Sequence, residues 1–434
     1  MNILTEAQAL DLVHAHLGRA AQDPLEIAVV LEAWGGVAPD LSLPLARAIA
    51  PMATAFASSD DRTVVVGSAD RSLAMGDVGF VIGVLFVGFW ISSLADEFGL
   101  VAVDRAWRLA LPVSLGAQWL LRRRYLSGPD GLGRLRCEPW IALPGVAVLG
   151  ALALVRPGGL LAVALTTIWV GGFILTRRGW GPVFGLGLVL GAATLKLGLS
   201  PRVIIGSAAS MAVVSGVAAV WGSPRSRRRA GPWQRAVPAG LIGAGMGFLL
   251  VIEPRFAWHA QGILPALTVV PSLFGSLWGG LHMTRLWEVM PQVLVNTSVR
   301  RRSDGRIGRL TSRLLAESML RLLLGAAIAS SAVMAWVVAD GQPREITRSL
   351  LIAHGVLAVA GLCVALLEAF GRWGYALLAT AFGCAVATGL HGVLGHDITP
   401  GVRILWGAIA CTVASTPPLV ALLREPDRNI AAAL

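Results

Sequence analysis

Three ionisable residues interrupt an otherwise apolar stretch of the chain: Asp104, Arg105 and Arg108. A charge at the centre of a membrane span costs about 2.5–3.5 kcal/mol or more, so such groups must pair or meet water. Asp104 and Arg108 are four apart and can pair along one helix face. That leaves Arg105 to meet an anionic cargo; the competing reading puts all three in the headgroup layer as anchors. A second set is polar but uncharged. Thr268, Ser272 and Ser276 continue through Gly280 and Thr284 at four-residue steps, a stripe that either packs closely against a neighbouring helix or lines a polar path. His354, Glu368 and His391 are the remaining titratable groups at or within apolar stretches. Each can carry a proton or couple an ion if it faces a cavity, although a lone histidine serves as readily as a core residue.

No GxGxxG after a strand, Walker-type loop, HExxH or nucleophile motif occurs, so the sequence predicts no enzymatic chemistry and no cofactor. Cys363, Cys384 and Cys411 fall in apolar stretches and Cys137 in a basic loop. None has the CxxC or Cys/His spacing of a metal site, and none is predicted.

The elements that position these residues follow from composition. Of 434 residues, 55% are hydrophobic and 14% charged, at a mean hydropathy of +0.70; soluble domains have roughly a quarter of their residues charged. The apolar excess comes in segments of about twenty residues, the length that crosses a hydrocarbon core of about 30 Å. Twelve such segments run from Val78 to Ala95, Leu100 to Leu121, Trp140 to Val155, Gly158 to Thr176, Gly181 to Leu199 and Val203 to Trp221, then Val237 to Ile252, Ile263 to Gly280, Leu322 to Ala339, Leu350 to Phe370, Trp373 to Leu394 and Val402 to Leu423. The expected fold is an all-α polytopic membrane protein with about twelve spans.

The net charge of +11 sits in short clusters between spans rather than on an aromatic-studded face, which excludes a nucleic-acid partner. With the N-terminus inside, the inner loops hold 23 basic residues and the outer loops seven, the bias that orients membrane proteins. Both termini are therefore expected in the cytoplasm. Glu6 and Asp11 stand where a signal peptide needs a basic start, so insertion is expected to begin at a later helix.

Residues 1–75 form a separate cytosolic region with nine acidic and four basic residues. Thr5 is a candidate N-cap for a first helix, Asp23-Pro24 open a second that stops at Gly35-Gly36, and a third runs from about Leu43 to Phe56. The remaining divisions are an N-lobe of six spans over 76–222, a basic linker over 223–236, a C-lobe of six spans over 237–423, and a cytosolic tail over 424–434. A long basic loop follows the second span of each half, and Asp130-Gly-Leu-Gly-Arg134 is echoed by Asp304-Gly-Arg-Ile-Gly-Arg309. Parallel six-helix repeats of this kind are a transporter architecture. The loop from His282 to Arg321 has apolar residues at helical spacing opposite arginines, which predicts amphipathic helices lying on the inner leaflet. Gly243/Gly247, among other GxxxG pairs, mark close helix packing.

From Leu264 onward, "ILPALTVVPSLFGSLWGG", "HMTRLWEVMPQVLVN", "RRRSDGRIGRL" and "RLLLGAAIASS", with the final "LLEAFGRWGYALLATAFGCAVATGL" and "GVRILWGAIACTVASTPPLVALLREPDRN", resemble in hydropathy and loop placement the Pel-type exopolysaccharide transporters. These belong to the multidrug/oligosaccharidyl-lipid/polysaccharide flippase superfamily. The resemblance implies two six-helix lobes around a V-shaped cavity lined by spans one, two, seven and eight, with Arg105, Arg108, Ser272 and Ser276 facing it. It implies export of a polysaccharide or lipid-linked saccharide across a bacterial cytoplasmic (inner) membrane. The partners are then membrane lipids, the saccharide cargo and a cytosolic glycosyltransferase or other synthesis-complex protein. The acidic N-terminal region departs from that family.

Two other readings are open. Gly128, Asp130, Gly133 and Arg134 partly echo the loop motif of major-facilitator transporters, although the spacing from Gly128 to Asp130 is too short for it. A membrane scaffold would instead use the N-terminal helices to recruit cytosolic synthesis proteins, with the spans as an anchor.

Overall fold

The computed structural model describes residues 5–17, 23–35, 37–55, 91–126, 131–226, 230–253, 268–269, 271–272, 306–339, 344–394 and 400–424. The described residues form helices and no strand. They divide into two compact units, the first holding the three N-terminal helices and the second the rest.

In the first unit, α1 (Glu6–Leu17), α2 (Pro24–Gly35) and α3 (Pro39–Ala55) enclose Ala9, Val13, Ile27, Leu31, Ala46 and Ile49. A capping box opens α1: the Thr5 hydroxyl accepts from the Gln8 amide at 3.4 Å, and the Gln8 side chain accepts from the Thr5 amide at 3.1 Å. Asp23 accepts from the Leu25 amide at 2.9 Å and Pro24 follows it, so the predicted start of α2 holds. Helix α3 begins at Pro39, earlier than Leu43, because Pro39-Asp40 supplies the proline-and-acid first turn that favours helix entry.

The second unit contains α4 (Ile91–Phe98), α5 (Leu100–Arg124), α6 (Gly131–Cys137), a 3₁₀ turn (Pro139–Ile141), α7 (Ala142–Ala153), α8 (Gly159–Arg177), α9 (Gly181–Lys196), α10 (Pro201–Trp221), α11 (Trp233–Val251), α12 (Arg306–Ala339), α13 (Arg344–Ala369), α14 (Trp373–Leu394) and α15 (Val402–Arg424). Seven described helices are long and apolar enough to cross a bilayer, or eight if the pair of α6 and the following turn and helix, bent by 84°, is one span. Their outward faces carry Leu160, Val203, Val214, Leu378, Phe382 and Val413, all exposed, as a lipid-facing surface requires. The chain is an all-α multi-pass membrane protein. Expected span one lies mostly outside the described residues, and span eight almost wholly so.

Two cores separate the helices into two groups. Val103, Ala106 and Ala110 of α5 pack with Leu165, Ile168 and Trp169 of α8 and with Ile204, Ala208 and Ala212 of α10. Ile242 and Leu249 of α11 pack with Leu357 and Val364 of α13, Ala376 and Ala379 of α14 and Ile404 and Ala408 of α15. The two groups meet along the antiparallel pair α5 and α11, the most extensive helix contact among the described residues. The predicted GxxxG pair makes this approach possible. A Cβ on Gly243 would lie 2.6 Å from the Leu115 carbonyl oxygen, and one on Gly247 would lie 2.7 Å from the Pro112 Cα.

Polar contacts between loops sort into two faces. On one, Arg136 donates to the Ser223 carbonyl at 2.7 Å, Arg178 to the Gly222 carbonyl at 3.3 Å and Arg124 to the Gly231 carbonyl. On the other, Arg202 pairs with Glu97 at 2.7 Å, Arg105 donates to the Arg156 carbonyl, and Ser349 to the Pro400 carbonyl. Each contact joins segments that the expected alternation of spans puts on one side.

One expectation is corrected. Arg306 to Arg321 does not form a separate helix on the leaflet: it runs without a break into the span as the 34-residue α12. No proline interrupts it, and Leu, Arg and Ala, all good helix formers, dominate its sequence.

Candidate functional site

Helix α5 carries the charged trio and lies at the seam between the two groups. Its 25 residues reach about 37 Å at 1.5 Å per residue, enough to run from face to face. Near its start the Arg108 guanidinium meets the Asp104 carboxylate at 2.8 Å, with the arginine side chain 40% exposed, so the i,i+4 pair forms. Arg105 is exposed and donates to the Arg156 carbonyl in the loop between α7 and α8, so part of its donor capacity is spent within its own lobe. Arg108 lies within electrostatic range of Arg403 at the start of α15, which brings charged groups of both lobes together on this face.

The other candidates are dispersed. Thr268 and Ser272 are buried, and the Ser272 hydroxyl donates to the Val269 carbonyl at 2.7 Å, a local contact. Ser276 lies outside the described residues, as does the side chain of His391 on α14. His354 and Glu368 are both buried on α13, but fourteen residues of helix put them about 21 Å apart, too far to share one proton site. Among the described residues, no three His, Cys, Asp or Glu side chains converge as a metal site. An uncharged groove on the outer face, lined by Leu160, Val163, Thr167, Ala209, Ser210 and Val213 of α8 and α10, suits a lipid chain rather than a polar cargo.

Among the described residues, the densest polar arrangement lies at the opposite, Arg-rich end of α5, where the sequence had offered only topology signals. Arg124 is 6% exposed. It donates to the Glu138 carboxylate at 2.6 Å and to the Tyr125 hydroxyl at 2.9 Å, and the hydroxyl donates to the same carboxylate at 2.7 Å. The guanidinium stacks 3.9 Å from the centre of the Trp233 ring, a cation–π contact. The Gly231 amide donates back to the Arg124 carbonyl at 2.7 Å. This ties α5 to the segment that leads into α11. Burial pushes the Tyr125 hydroxyl up to about 12. Burial also opposes the Glu138 charge, but hydrogen bonds from Tyr125 and Arg124 outweigh it and hold the carboxyl below its ordinary value. One step back, Arg123 Nε lies 3.2 Å from Glu368 Oε1 on α13, an ion pair between the lobes.

A second missed residue is Glu253, just past α11 and 4% exposed. Its carboxylate accepts from the backbone amides of Gly401, Arg403 and Ile404, compensating the unpaired N–H groups at the start of α15. Sequence alone shows a glutamate after an apolar run and nothing of its distant partner.

No family model matches the chain, and no curated protein matches it. Among solved structures it is similar to an outward-facing multidrug resistance MATE family transporter of the MOP superfamily, at 16% identity over 84% of this chain and 97% of that one, with a TM-score of 0.39. It is also similar to a MOP superfamily transporter from Pyrococcus furiosus, at 16% identity over 83% of this chain and 97% of that one, TM-score 0.38, and to a MATE protein in a straight conformation, at 18% identity over 84% and 97%, TM-score 0.39. At such values the likeness carries no statement about this chain's fold, cargo or coupling.

Proposed function

We propose that this chain is a membrane transporter that moves a polysaccharide or lipid-linked saccharide across the cytoplasmic membrane along the seam between two helical lobes. The observation that carries the reading is the seam itself: two separately cored helix groups meet chiefly through α5 and α11. Side chains close it at the Arg-rich face. On the other face it bears the half-exposed Asp104–Arg108 pair, with Arg403 nearby. Two cores joined along one helix pair can rock against each other as bodies, the motion alternating access needs. The saccharide class follows from the resemblance of the C-terminal segments to exopolysaccharide transporters, and the arginines suit an anionic group on that cargo.

The separately cored α1–α3 unit supports an added role, recruitment of a cytosolic synthesis protein such as a glycosyltransferase. Liposomes carrying the purified chain and a fluorescent lipid-linked oligosaccharide test the main reading. The chain should accelerate movement of the lipid between leaflets, and Arg105→Ala with Arg108→Ala should abolish it while leaving membrane insertion intact. Flux equal to that of empty liposomes would sink the transporter reading; unchanged flux in the double variant would remove both arginines from the site.

A further inference from the structure

We propose that Arg123 and Glu368 form a latch between the lobes, and that the seam opens at the Arg-rich face only when this pair separates. The proposal takes its purpose from the two-lobe transport reading, but its test reads geometry.

Two kinds of contact meet at this face. The first is hydrogen-bonded and lies within one lobe: Arg124, Tyr125 and Glu138 form a closed triangle of bonds between 2.6 and 2.9 Å. Such charge-assisted bonds are among the strongest a protein makes. The second crosses the lobes and is different in character. Arg123 Nε and Glu368 Oε1 are 3.2 Å apart, yet Oε1 has no hydrogen-bonding partner, so charge alone holds the contact, without directional bonding.

The positions of these contacts define a hinge and a closure. The two Arg124–Gly231 contacts, guanidinium to the Gly231 carbonyl and Gly231 amide to the Arg124 carbonyl, and the tight α5–α11 approach fix an axis along the seam. Glu368 sits off that axis, near the end of α13. Rotation of the C-lobe about α5 and α11 therefore leaves the axis contacts intact and carries Glu368 away from Arg123. Glu368 is 8% exposed, and a carboxylate so placed is costly without its counter-charge. The paired state is favoured until water or cargo enters the opening and solvates it.

Spin labels on native Cys137, exposed in the N-lobe, and on Tyr375→Cys, exposed on α14, report the width of this face in the full chain in nanodiscs, with Cys363, Cys384 and Cys411 replaced by alanine. The unaltered pair should give one short distance. Arg123→Gln and Glu368→Gln should each raise a longer population on the order of tenfold. The swap Arg123→Glu with Glu368→Arg should restore the short distance, and Arg123→Lys should resemble the parent. Unchanged distances in both glutamine variants overturn the latch, as does a swap that fails to restore the parent distribution. If a glutamine variant does not fold, Glu368→Asp decides: its shorter reach should raise the long population and an unaltered distribution overturns the proposal. Flux with no distance change removes the latch and leaves transport standing, whereas distance changes without flux do the reverse.

Discussion

The Glu253 carboxylate accepts the Arg403 backbone amide at 2.8 Å, so a residue just past the end of α11 caps the start of α15. This one buried side chain joins the beginning and the end of the C-lobe.

Replacing Glu253 with alanine strands three amides and should cost about 2 kcal/mol, read as a lower midpoint in thermal unfolding of the detergent-solubilised chain. Glu253→Gln retains an acceptor and should recover about half. Equal midpoints for all three proteins would show that the cap contributes nothing.

Glycine substitutions should grade with the space each one meets. Gly243→Ala and Gly247→Ala place a methyl 2.6–2.7 Å from the opposing backbone and should destabilise by about 1–3 kcal/mol, the cost of overpacking. Gly240→Ala meets the Leu120 side chain at 3.2 Å and should be milder. Gly206→Ala on α10, with nothing within 4 Å, should be neutral or favourable. The order of the four midpoints is the measurement.

The Arg124–Tyr125–Glu138 triangle predicts two limits of pH. Glu138 titrates lower in the folded chain than its ordinary 4.5, so its contribution is present above that value and is lost as pH falls through the depressed one. Tyr125 is raised from 10.0 to about 12, so its contribution is present below 10 and is lost as pH rises towards 12. Glu138→Gln should flatten the acid limb of midpoint against pH, and Tyr125→Phe the alkaline limb. Parallel profiles for both variants and parent would refute the assignment.

Orientation is testable with native chemistry. In inverted membrane vesicles a membrane-impermeant maleimide should label Cys137; in intact cells it should label Arg156→Cys but not Cys137. The reverse pattern would invert the proposed threading.

Much of this architecture was legible in the sequence. Apolar length and the alternation of arginines gave helices whose loops pair on the expected faces, i,i+4 spacing gave Asp104–Arg108, and GxxxG spacing gave Gly243/Gly247. What stayed hidden shares one cause. Arg123–Glu368, Arg124–Gly231 and Glu253–Arg403 each join residues over a hundred positions apart, and no local period encodes such a partner. Arg122, Arg123 and Arg124 satisfy the orientation rule whether or not they bond to anything, so that rule masked their second use. The bond from Arg105 to the Arg156 carbonyl stayed hidden for a different reason: a carbonyl acceptor exists at every position and leaves no trace in residue type.

The unbroken α12 sets a mechanical condition on whatever the molecule does. Its 34 residues span about 51 Å, while the hydrocarbon layer is about 30 Å thick, so about 20 Å of rigid rod stands beyond the lipid tails or is taken up by tilt. A rod cannot stretch or fold to absorb a push. A protein that grips the Arg306 end therefore acts on the far end directly, as a hand on a tiller turns the rudder.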